Sequence, residues 1–183
     1  MSIQSQPQKK EVFMKRRFDP KKPRSIAGKA FQDKVLQEML QHDIFENAED
    51  FRDKKRAEGI AAGKPFTETE LSILEKSWGD ITFSVNGQEF FVECCFAMGE
   101  TETSMCEIKR TRFLGDNKWY CYGKRTDPDT RVFIPSRVWH RYMERLELHK
   151  KNGWQFRTVP VHLIGENLRA AVIGVENFKK LFM

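Results

Sequence analysis

The dipeptide Asn86-Gly87, set between two alternating runs that span Gly79 to Cys95, restricts this chain more than any other feature. A two-residue hairpin loop of type I′ needs positive φ at both central positions, which Asn and Gly tolerate best, so the spacing predicts a tight β-hairpin. The turn sets the register by counting: Val85 pairs with Gln88, Phe83 with Phe90, Ile81 with Val92, and Asp80 with Glu93. Ile81, Phe83, Phe90 and Val92 then form a core face. The opposite face carries Asp80 and Glu93 across from each other, with Cβ atoms roughly 5 Å apart, where like charges destabilise. A divalent cation with oxygen ligands would relieve them, since Mg2+ is commonly held by one or two carboxylates plus substrate phosphate. A solvated polar face, on which the acids repel weakly or meet a Lys or Arg, is the alternative.

The chain of 183 residues suits one domain with an appended arm, and its 15 Phe and 4 Trp supply material for a core. No run approaches 18 apolar residues and the N-terminus has no apolar signal-peptide region, so an intracellular protein without a membrane span is expected. The four cysteines fit that compartment. Cys94 and Cys95 are adjacent, Cys106 and Cys121 are isolated, and without a Cys-x-x-Cys pair reduced structural thiols are expected rather than a zinc site.

Charge is unevenly placed. Met1 to Ala30 holds nine Lys or Arg against Glu11 and Asp19, a balance of +7 in a chain whose total is +6, so the remainder is close to neutral. Residues 1–24 read as a basic arm broken by Pro7, Pro20 and Pro23, and residues 25–183 as the folded domain. Lys15, Arg16, Arg17, Lys21, Lys22, Arg24 and the following Lys29 form a polycation suited to DNA, although basic tails also serve solubility or dock on acidic proteins.

Further along, Ser25 caps a predicted helix to about Gln41, with Phe31, Val35, Leu36, Met39 and Leu40 at helical spacing. A more polar helix is expected from Asn47, as cap, to Ala62. Thr67 and Glu70 make a Thr-x-x-Glu capping box that opens a third helix burying Leu71, Leu74 and Trp78. After the hairpin, extended runs at Met105 to Phe113, Lys118 to Lys124 and Arg131 to Pro135 predict a meander of about five strands. Ser136 opens another helix, a strand is expected over Gln155 to Ile164, and an amphipathic turn around Phe178, Leu181 and Phe182 ends the chain. Arg110, Arg112, Lys124 and Arg125, interleaved with Trp119, Tyr120 and Tyr122, suit a nucleic-acid backbone and its bases. Core aromatics alternating with solvated charges would give the same pattern. His42, His140, His149 and His162 have no partner at ligand spacing.

A core helix containing Gly-Lys-Ala-Phe-Gln, a strand opening on Gly-Asp and a hairpin partner ending Phe-Val-Glu-Cys-Cys together resemble the PD-(D/E)xK nuclease superfamily. The resemblance implies an α+β, restriction-endonuclease-like core: a helix followed by a mixed, mainly antiparallel sheet of five to six strands with flanking helices. Within it Asp80 and Glu93 match the metal-binding acids, and Gln32 falls where many members carry a helix-borne Glu. Cys95 stands where the family has its lysine. The missing cation is expected from the run Met105 to Phe113, folding back to bring Lys109 or Arg110 beside Glu93 or Cys94. A second frame within the family uses Glu107-Ile108-Lys109 as the Glu-x-Lys element, with 26 residues separating Asp80 from Glu107.

Two functions follow as expectations. One is a Mg2+- or Mn2+-dependent endonuclease or resolvase on DNA, with Asp80 and Glu93 as ligands, Lys109 assisting and Gln32 orienting water. The other is a nuclease-derived binding module, without catalysis, that serves a phage or other nucleoprotein assembly. A homodimer or larger complex is compatible with both, and an assembly part without a nucleic-acid role is a third reading.

Overall fold

In the computed structural model Asn86 and Gly87 have φ of 50° and 77°, the positive values that a type I′ turn requires. The model describes residues 23–97, 112–124, 129–141, 144 and 170–183. The turn joins β2 (Ile81–Val85) to β3 (Gln88–Ala97), and the register is the expected one at Val85↔Gln88, Phe83↔Phe90 and Ile81↔Val92.

Around this hairpin the described residues form a six-stranded sheet in the order β1-β2-β3-β4-β5-β6, in which β1 is Glu46–Asp50, β4 Lys118–Lys124, β5 Val132–Pro135 and β6 Val172–Ile173. Every neighbouring pair is antiparallel except β3 and β4, which run parallel from Phe91↔Lys118 to Ala97↔Lys124. The architecture is thus α+β, with a mixed, mostly antiparallel sheet flanked by helices. A parallel pair needs a crossover of a dozen or more residues, so the expected simple meander does not hold at this step.

Two apolar layers cover the sheet. On one face α1 (Pro23–Met39) buries Phe31, Val35 and Met39, one per turn, against Val92, Cys121 and Phe133. The short helix α5 (Val175–Lys179) adds Phe178, whose ring stacks 4.0 Å from Phe133. The other face holds Phe51, Phe91, Tyr120, Tyr122 and Trp139, with Leu74 packed against them. Phe51 opens α2 (Phe51–Ala61), Leu74 belongs to α3 (Glu68–Trp78), and Trp139 lies in the helical residues 136–141, labelled α4.

Several local expectations meet the structure closely. The Thr67 hydroxyl accepts the Glu70 amide and the Glu70 carboxylate accepts the Thr67 amide, which is the full capping box. Leu71 is buried, whereas Trp78 stays 36% exposed and Leu40 52% exposed. The helix expected from Asn47 begins only at Phe51. Asn47 instead lies in β1, at positive φ within a bulged ladder to β2, and Asp50 is the true cap, accepting the Asp53 amide at 3.1 Å. Strand pairing outcompeted local helix propensity over residues 46–50. Phe113 is a buried bend rather than strand. The rest of the 105–113 run up to residue 111, and the strand expected over Gln155 to Ile164, lie outside the described residues.

Close approach of α1 to the sheet depends on Gly123 in β4. A Cβ there would lie 2.2 Å from Phe31 Cε2, and Phe31 is held by Phe96, 5.2 Å away, and by the Arg131 guanidinium, 5.0 Å from its ring. Gly123→Ala is therefore expected to destabilise by about 1–3 kcal/mol. Combining it with Phe31→Leu should cost less than the two single changes added together. Thermal unfolding of the three variants checks this.

Candidate active site

The regular β2–β3 ladder stops one residue before the acidic pair. Gly79, with φ 78°, lets the chain leave α3 while passing close to β3; a Cβ at this position would lie 2.8 Å from the Val92 carbonyl oxygen. Asp80 N–H then donates to that same oxygen at 2.8 Å, one residue out of step with the Ile81↔Val92 pairing. Asp80 and Glu93 are accordingly not a ladder pair, as counting from the turn had them. The Asp80 carboxylate folds back along β3, and its Oδ2 accepts the Cys94 amide at 2.8 Å. It stands in for the carbonyl that β2, having begun at Ile81, does not supply.

The Asp80 carbonyl is equally engaged. It accepts the Phe51 amide at 2.9 Å and the Gln32 side-chain amide at 3.3 Å. Gln32 Nε2 also lies 2.8 Å from Asp50 Oδ2, an oxygen that Lys29 Nζ reaches at 2.8 Å. The structure thus brings Gln32, Asp80 and the peptide between Glu93 and Cys94 together at one end of the sheet, and adds Lys29 and Asp50.

Asp50 is the member that sequence reasoning missed. Burial works to raise its pKa, but the Lys29 hydrogen bond, the Asp53 amide, the Lys29 charge and the Arg52 amide outweigh it and hold the carboxyl below its ordinary 3.8. Lys29 responds in kind: burial lowers its pKa, and its bonds and charge pairing with Asp50 and Asp33 raise it to a net value above 10.5. The available signal was an Asp directly before an amphipathic run, the ordinary mark of an N-cap.

Glu93 is 4% exposed and lies in register with Tyr120 of β4. Both belong to the sheet face opposite α1. The Tyr120 hydroxyl is 3.2 Å from His140 Nε2, which in turn lies 3.0 Å from the Phe113 carbonyl. Burial foremost lowers the His140 pKa, against the Phe113 bond and the Glu144 charge. Cys95, in the lysine position of the resemblance, is 6% exposed and packed with Tyr122 and Trp139. Cys94 faces the other way, towards α1. Burial above all raises its pKa, with Cys121 and Asp80 adding to the rise and the Arg131 and Lys29 charges opposing it.

The β3 backbone at Glu93 and Cys94 is engaged on both sides. Those residues pair with Tyr120 and Cys121 on one side, and on the other Asp80 takes up the Val92 carbonyl and the Cys94 amide. Lys109 and Arg110 lie outside the described residues, as do Lys15, Arg16, Arg17, Lys21, Lys22 and Arg125. Arg24 lies in the first turns of α1, Lys124 ends β4, and Arg112 is exposed in a turn. The aromatic half of the expected nucleic-acid strand is core, since Tyr120 and Tyr122 are buried. Lys118 is buried too. Its ammonium donates to the Ser77 carbonyl at 2.7 Å and sits 4.4 Å from the Trp78 ring, an anchor for the C-terminal end of α3 where a cation meets the helix dipole favourably.

Among the described residues no group of three or more His, Cys, Asp or Glu side chains is arranged to hold a metal ion, and no helix is long and apolar enough to cross a membrane. No protein-family model matches the chain, and neither curated proteins nor solved structures give a match.

A pH dependence follows from Asp50. Its folded pKa is depressed, so the unfolded chain binds the proton more readily, and the stabilisation is complete above about pH 4 and lost as pH falls through the lower folded value. The thermal midpoint of the wild type should therefore drop as pH falls below about 4. Asp50→Asn keeps a capping side chain and should be less stable at pH 7 yet lose less on acidification. Unfolding scans at stepped pH on both proteins check this.

Proposed function

We propose that the chain is a metal-dependent phosphodiester hydrolase acting on DNA, built on a restriction-endonuclease-like core. The observation that carries this reading is the convergence on Asp80 of Gln32 from α1 and of the β3 backbone next to Glu93. Those are the three positions at which the sequence resembles the PD-(D/E)xK superfamily, and they come from segments 48 and 14 residues away from Asp80 in the chain. The basic N-terminal segment supplies a polycation for the DNA backbone.

Asp80 and Glu93 are the carboxylates that would hold Mg2+ or Mn2+ together with substrate phosphate. With Asp80 Oδ2 on the Cys94 amide and Glu93 4% exposed beside Tyr120, they would have to turn to share one ion. The ion would supply an activated water and charge stabilisation at phosphorus. The chain's own contribution is positional. The Cys94 amide fixes the Asp80 carboxylate, and the Gln32 amide fixes the Asp80 main chain.

A specific observation favours the second reading, a nuclease-fold DNA-binding or assembly subunit without catalysis. The lysine position is a thiol sealed in an aromatic core, and a neutral buried thiol contributes no cation at a phosphate.

The two readings part on a matched pair of variants. Asp80→Asn keeps an oxygen for the Cys94 amide and should fold like the wild type, whereas Asp80→Ala strands that amide and should cost about 1–3 kcal/mol. On the hydrolase reading, nicking of supercoiled or branched DNA with Mg2+ or Mn2+ is abolished in the stable Asp80→Asn variant. Wild-type protein that binds DNA but cleaves no form of it with either ion selects the binding subunit.

A further inference from the structure

We infer that Lys29 is the phosphate-contacting cation of this site, in the role that the resemblance assigns to the position of Cys95. The inference rests on the DNA reading above but not on catalysis. Lys29 lies on α1 one turn before Gln32, so both side chains leave the same helix face. They share one acceptor, Asp50 Oδ2, at 2.8 Å each, and Gln32 continues to the Asp80 carbonyl. Lys29 is therefore three hydrogen bonds from the Asp80 main chain, by way of Asp50 and Gln32.

An ammonium has three N–H groups. One meets Asp50 and a second meets Asp33 at 3.0 Å, while no acceptor among the described residues takes the third. The side chain is 52% exposed, so that N–H is presented to solvent at the end of the sheet. Asp50 does not cancel the ammonium charge alone, because it also receives the Asp53 amide at the N-terminus of α2, where the helix dipole favours a negative charge, and the Gln32 amide. Asp33 is a surface partner, 54% exposed, whose attraction is weak and screened. A bound phosphate can take over from Asp33 without disturbing the Asp50 anchor.

The test measures binding of a short DNA duplex by full-length protein across a salt series, together with cleavage in Mg2+ and Mn2+. Lys29→Met should weaken binding by roughly tenfold at low salt and reduce the log–log salt slope by about one. Lys29→Arg should restore most of both, since it keeps the charge and the hydrogen bonds. Lys64→Met, which removes an exposed charge after α2, should stay within about twofold of wild type. Lys29→Met also strips Asp50 of a partner and should unfold earlier, so affinities are compared at a temperature at which circular dichroism shows every variant fully folded. Unchanged affinity and slope in Lys29→Met, an equal loss in Lys64→Met, or no duplex binding by the wild type at low salt would each overturn the inference. Lys29-dependent binding without cleavage upholds it and removes the hydrolase reading alone.

Discussion

The polar groups of Asp80 named above tie together three other elements of the fold, β3, α2 and α1. Its amide meets β3 at Val92, its carboxylate meets β3 again at Cys94, and its carbonyl meets the start of α2 at Phe51 and the side chain of Gln32 on α1. The residue before it is the glycine that ends α3. Buried backbone donors and acceptors must be paired, and at the point where β2 begins the regular ladder cannot pair them all. One side chain and one glycine close the gap, and four elements are held in fixed relation as a result.

This arrangement gives the acidic end of the sheet a polarity of its own. Glu93 is turned towards Tyr120 and the aromatic layer, Asp80 lies along the ladder, and Lys29 and Gln32 approach from the α1 side. Among the described residues, the positive charge at this end is carried by Lys29 on α1. β4 takes up the edge of β3 in parallel, from Phe91↔Lys118 to Ala97↔Lys124.

Much of the scaffold was legible because it depends on local chemistry. Positive φ at Asn86 and Gly87, the Thr67–Glu70 capping box and the one-per-turn apolar spacing of Phe31, Val35 and Met39 are each decided within a few residues. The failures involve partners distant in the chain. Residues 46–50 carry helix-compatible side chains but form a strand because β2 offers an edge to pair with. The aromatics of β4 alternate with basic residues as an exposed binding strand would, but both sheet faces are covered, so Tyr120 and Tyr122 became core.

What the sequence by itself determined is the hairpin, its register down to Ile81↔Val92 and the nearness of Asp80 to β3 beside Glu93. A two-residue turn and a period of two leave no other solution. Tertiary structure alone decided how that pair ends. The turn out of α3 at Gly79 sets the Asp80 carboxylate on the Cys94 amide, and the packing of α1 and β1 brings Lys29, Gln32 and Asp50 to the same place. Those contacts join residues 14 to 48 positions apart, and no local pattern encodes them, because the unpaired backbone groups they satisfy arise only once the strands and helices have met.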